Sequence, residues 1–105
     1  MNSPIFIFKL IGNYIGFIDN NKDIFSRDGI YLGWLEDNNV WGINGEYRGK
    51  LMKIGDSYYI LRNLYVLPPT PKSPQVTPTV APIPSPPPNV AGIVPPAPGM
   101  RDAFQ

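Results

Sequence analysis

The sequence predicts a small all-β fold: an antiparallel β-meander of four repeated hairpins arranged with pseudo-fourfold symmetry, followed by an extended proline-rich tail. Three observations predict it. A Gly-x-Tyr-x-Gly string recurs at spacings of 17 and 16 residues, polar turn clusters separate the copies, and 13 of the 14 prolines fall between Pro68 and Pro98. The shift in composition divides the chain into a β-hairpin domain, residues 1–67, and a tail, residues 68–105.

The first unit places Gly12-Asn13-Tyr14-Ile15-Gly16-Phe17-Ile18 after the apolar run Ile5 to Leu10. The second repeats it as Gly29-Ile30-Tyr31-Leu32-Gly33-Trp34-Leu35, and the third as Gly45-Glu46-Tyr47-Arg48-Gly49-Lys50-Leu51. A fourth, degraded copy is expected at Asn63-Leu64-Tyr65-Val66-Leu67, with Asn in place of the first glycine. That exchange is physically sensible, because Asn is the residue after glycine that most readily adopts positive φ. An apolar–aromatic pair stands five and four residues before each turn residue: Ile7-Phe8, Ile24-Phe25, Val40-Trp41 and Tyr58-Tyr59. Each unit therefore reads as strand, tight turn, strand. Asp19 to Asp23, Glu36 to Asn39 and Lys53 to Ser57 carry turn chemistry and connect successive units.

Alternation along a strand puts Tyr14, Gly16 and Ile18 on one face, with Ile15 and Phe17 on the other. The Tyr-Gly-aliphatic face recurs in every clear unit, so Tyr14, Gly16, Tyr31, Gly33, Tyr47, Gly49 and Tyr65 are expected to form the repeated core. The other face changes from Phe17 to Trp34 to Lys50 and is expected to be wet. Phe17 and Trp34 are then candidates for a contact surface, and Arg48 and Lys50 read as a solvated face. One hairpin cannot bury its own apolar face, whereas four around an axis can, with the first and last units meeting to protect the sheet edges.

Four aromatic-glycine hairpins followed by a proline-rich tail resemble the bacterial family called 4-fold beta flower proteins, over residues 5–67. The string is clear in units one and two, loses its aromatic to Lys50 in unit three and loses both glycines in unit four. The resemblance implies a fold and supplies no catalytic residues. Choline-binding and membrane-occupation repeats are similar in flavour but differ in motif order and period.

A folded region of about 65 residues buries only about 60% of its unfolded surface. The chain has no Cys and no His, so neither disulfides nor the usual nitrogen and sulfur metal ligands can assist it, and sheet closure or self-association remains. The same two absences exclude Ser-His-Asp, Cys-His and imidazole chemistry. Asp19, Asp23, Asp28, Glu36, Asp37, Glu46 and Asp56 fall in or beside predicted turns, and the connectors lack calcium-loop spacing. No enzymatic activity, metal or cofactor is therefore expected. A net charge of +1 gives no footprint for nucleic acid or an anionic membrane. The N-terminal stretch lacks a basic leader region, and no apolar run approaches transmembrane length, so a cytoplasmic location is the expectation.

Proline fixes φ and removes a backbone donor, so Pro68 to Pro98, whose only charge is Lys72, is expected outside the sheet as extended polyproline II. Such an arm can act as a spacer, as a ligand for an aromatic groove, or as a strap across its own domain or a neighbouring subunit. Met100 and Phe104, bulky side chains returning after Gly99, are candidate docking residues. The leading expectation is a non-enzymatic interaction module whose arm contacts a protein partner or another subunit. The alternative is a domain that binds carbohydrate or a quaternary amine through its repeated aromatics.

Overall fold

The computed structural model describes residues 4–79 and 82–104. The strands are β1 (Ile5–Phe8), β2 (Tyr14–Asp19), β3 (Asp23–Ser26), β4 (Tyr31–Glu36), β5 (Asn39–Gly42), β6 (Tyr47–Ile54), β7 (Ser57–Asn63) and β8 (Met100–Asp102). They pair in chain order, and β1 also lies parallel to β7 through Ile7 opposite Tyr58 and Phe8 opposite Tyr59. The first seven strands thus close into a barrel-like sheet, and the described residues contain no helix.

Three units share one set of backbone bonds. The N–H groups of Gly12, Gly29 and Gly45 donate to the carbonyls of Lys9, Ser26 and Gly42 at 2.8, 2.9 and 2.9 Å. Each turn is closed from Lys9, Ser26 or Gly42 back to Asn13, Ile30 or Glu46, at 2.9, 2.8 and 2.7 Å. The turn glycines have φ of 103°, 86° and 85°, the left-handed region that their recurrence predicts. The connectors are tight turns too: Asn20, Asn21, Asp37 and Asn38 all have positive φ, which short polar side chains tolerate.

The two faces differ from the expectation. Tyr14 pairs with Phe8 while Gly16 pairs with Ile7, so a bulge at Ile15 turns the tyrosine and glycine to opposite faces. The same register shift falls at Leu32, between Tyr31 opposite Phe25 and Gly33 opposite Ile24. It falls again at Arg48, between Tyr47 opposite Trp41 and Gly49 opposite Val40. The centre of the barrel is aliphatic, built on Ile7, Ile18, Ile24, Val40 and Ile60. Tyr14, Phe17, Trp34 and their cross-strand partners lie on the opposite face, where Phe17 stacks on Phe25 with ring centres 5.5 Å apart.

The interior glycines set the spacing between hairpins. A Cβ on Gly16, Gly33 or Gly49 would overlap the carbonyl oxygen of Phe25, Trp41 or Leu61 respectively, the first residue pair of the next unit. Gly33 and Gly49 also have φ of 152° and 154°. Only the absence of a side chain lets each second strand meet its neighbour this closely.

The fourth unit is the main correction. Leu64 to Leu67 form no strand, and Tyr65, expected in the core, is 79% exposed. Position matching explains this: the interior glycine is replaced by Leu67, which cannot make the close approach, and β1 already occupies the β7 edge at Tyr58 and Tyr59. Leu51 opposite Ile60 repeats Ile18 opposite Ile24, so the unit's apolar pair is Ile60-Leu61 in place of Tyr58-Tyr59. The missing strand is imported. β8 pairs antiparallel with β7 through Leu61–Asp102, Arg62–Arg101 and Asn63–Met100, so residues beyond the proline-rich segment join the sheet.

Gly33→Ala is expected to cost about 3 kcal/mol or more, from carbonyl overlap added to backbone strain. Gly55→Ala, with φ 63° and nothing within 4 Å of an added Cβ, is expected to cost about 1 kcal/mol. Urea denaturation of the two variants checks the difference.

Candidate functional site

Bulged positions do more than change the phase of a strand. Ile15, Leu32 and Arg48 occupy the same place in three units, and together with Phe104 and Ser26 they line one cleft at an end of the barrel. A neighbouring cleft of about 310 Å³ shares Leu32, Arg48 and Phe104 and extends to Tyr31, Asn44 and Glu46. Phe104 packs against the central aliphatic cluster. The Arg48 guanidinium lies 4.6 Å from the centre of its ring, and its Nη2 donates to the Ala103 carbonyl at 2.6 Å. Arg48 is therefore half-buried and engaged, contrary to its expectation as a solvated residue, while Lys50 is exposed.

The arm is strapped to the barrel at several points before it reaches this mouth. The Lys72 N–H donates to the Gly45 carbonyl at 2.8 Å, and its ammonium pairs with Glu36 and sits 5.0 Å from the Trp41 ring centre. Further on, Val90 N–H donates to Gly12 O at 2.9 Å and Ile93 N–H to Leu10 O at 2.8 Å. Asn89 Oδ1 accepts from the Tyr14 N–H at 3.0 Å, and Asp102 Oδ1 accepts from the Leu10 N–H at 2.9 Å. Val90, Ile93 and Met100 pack over the cluster of Phe8, Tyr14, Tyr59 and Leu61. The arm thus uses the turn glycines a second time: a Cβ on Gly12 would overlap the Val90 carbonyl, and one on Gly45 the Lys72 carbonyl.

Compared with known families, curated proteins and solved structures, the chain matches none.

The residues singled out from the sequence fall into three groups. Phe17 and Trp34, expected on an exposed contact face, are each 1% exposed; cross-strand packing of aromatic on aromatic has buried that face. Met100 and Phe104 come together at the seam and mouth, as docking residues of their own chain. Tyr14 is buried, Tyr31 and Tyr47 are half-buried, and Gly16, Gly33 and Gly49 are buried. Burial pushes the phenols of Tyr14, Tyr31 and Tyr47 above their ordinary range, with Asp23 adding to the rise at Tyr31 and Arg27 and Arg62 opposing it at Tyr14 and Tyr47. These hydroxyls stay protonated and serve packing. Burial also raises Asp23, against the pull of Lys22.

Arg48, Lys72 and Asn89 were the contacts missed. Each carried a signal in retrospect: Arg48 stands where two sister units carry Ile15 and Leu32, Lys72 is the lone charge of the proline stretch, and Asn89 follows Pro88 as a turn-former.

Truncating Phe104 to Ala is expected to cost about 2 kcal/mol, the usual size for a partly collapsible apolar site. Arg48→Met, which keeps the stem but loses the bond to Ala103, is expected to cost about 1 kcal/mol. Both are read from urea midpoints. The hydrogen bond from Lys72 holds Glu36 below its ordinary carboxylate range. A carboxylate depressed in the folded state stabilises above its unfolded pKa, and that contribution disappears as pH falls through the folded value. Acid is therefore expected to release Lys72 from Trp41 before the barrel unfolds. Tryptophan emission against pH should show this early step in the native chain and lose it in Glu36→Gln.

Proposed function

We propose that this chain is a non-enzymatic, cytoplasmic interaction module of the beta flower type, in which a closed barrel holds a proline-rich arm against itself so that the arm's outer side meets a protein partner. The observation that carries this reading is the pairing of anchors with exposure. The arm is tied at Lys72, Asn89, Val90 and Ile93, while Ser85, Pro86 and Pro88 between those anchors remain exposed. A polyproline segment fixed at both ends has already lost most of the entropy that binding would cost, which suits recognition by an aromatic-lined groove.

The repeated aromatics support the small-ligand alternative less well. Phe17, Phe25, Trp34 and Trp41 are each no more than 4% exposed, and their faces are spent on one another and on Lys72.

Replacing Pro86 and Pro88, both exposed, by Ala alters no strand residue and no anchor residue. This variant is expected to lose capture of the partner that the native chain retains in pull-down, at unchanged thermal stability. Equal capture by the two chains would sink the reading.

A further inference from the structure

The five residues that complete the barrel form a self-contained ligand. Met100–Asp102 supplies the β8 ladder, Ala103 N–H donates to Ile60 O at 2.9 Å, and Phe104 fills the mouth beneath Arg48. The segment delivering them adds a tie at its own root, where the Leu64 N–H donates to Gly99 O at 2.9 Å and the Tyr65 ring lies against Gly99. Residues 64–99 include no strand among those described, and they could span about 110 Å as polyproline II, against a largest molecular dimension of 37 Å. With its ties at Lys72, Asn89, Val90 and Ile93 moved to the second barrel along with it, the arm is long enough to place the same five residues there.

A second observation lies at the root of the arm. Leu64, Tyr65, Val66 and Leu67 are 51%, 79%, 62% and 90% exposed, a continuous apolar run where the chain leaves β7. In a mutual exchange the two departing chains cross at this point, so the two copies of the run come to lie against each other. The crossing covers surface that the closed monomer leaves in water.

We infer that a second copy of this chain is an occupant of the β7 edge and barrel mouth: two molecules exchange the whole arm, its ties at Lys72, Asn89, Val90 and Ile93 together with Met100–Phe104, with Leu64–Leu67 of each forming the new contact between them. The inference rests on the reading of the arm as a contact element and names self as a partner. Exchange competes with closure by the chain's own arm, which acts at an effective concentration of roughly millimolar order, so the exchanged species rises with protein concentration.

The chain contains no cysteine, so the exchange can be trapped at the facing pair Arg62 and Arg101. R62C and R101C chains, one carrying a longer tag, are mixed, refolded from urea at a series of concentrations, oxidised and run without reductant. Covalent R62C–R101C heterodimer is expected several-fold above either homodimer and rising with refolding concentration. Light scattering of the unaltered chain should show a two-chain species rising in parallel. Leu64→Ser combined with Leu67→Ser, at exposed positions, should lower that species about tenfold without changing the monomer's urea midpoint. Heterodimer no more abundant than homodimer, with a single-chain mass throughout, overturns the exchange. That result leaves the proline-segment reading intact, because partner capture is measured separately on the native monomer.

Discussion

Three glycines facing the interior, Gly16, Gly33 and Gly49, set how closely one hairpin can approach the next, and most of the architecture follows from that distance. Each lies against a main-chain carbonyl of the following unit, leaving no room even for a methyl group. The aliphatic residues beside them can then converge into one central cluster despite the small size of the sheet. Where the series ends, so does the approach: Leu67 stands in the fourth glycine's place, and the chain turns away from the sheet after Asn63. The returning strand β8 takes the part of the β7 edge that β1 leaves open, at Leu61 to Asn63.

The bulges make the arrangement work in both layers. By inserting Ile15, Leu32 and Arg48 between tyrosine and glycine, they send glycine and aliphatic residues inward and tyrosine to the aromatic face. The sheet is thereby apolar on both sides. An ordinary meander of this size would leave one side to water. Here Val90, Ile93, Met100 and Lys72 cover parts of the aromatic side, so the arm supplies a second layer of packing that a domain of this length could not otherwise build.

Much of this was legible from residue types. Turn glycines with positive φ, Asn and Asp connectors and the hairpin order follow from local rules that tertiary context did not override. The strict two-residue alternation was the misleading rule: it put Tyr14 and Gly16 on one face, and a one-residue bulge is enough to reverse every side chain beyond it. That reversal buried Phe17 and Trp34, the residues nominated as surface. The fourth copy misled for a different reason, since Tyr65 has the right phase but a strand also needs a vacant edge and room beside it. Met100 and Phe104 were visible as docking residues from their bulk after a proline run, but their partner Arg48 was hidden because a charge in a strand reads as solvent-facing.

The parallel contact between β1 and β7 extends over only two residue pairs, and the rest of the seam belongs to β8, which arrives from far along the chain. Joining those ends across 36 residues costs roughly 2 kcal/mol more loop entropy than a four-residue turn. The seam is therefore the last part of the sheet to form and the slowest, while the three glycine hairpins assemble from local pairings. Synthesis adds to the delay, because a growing chain holds a nearly finished barrel with an unsealed side until residues 100–104 have been made.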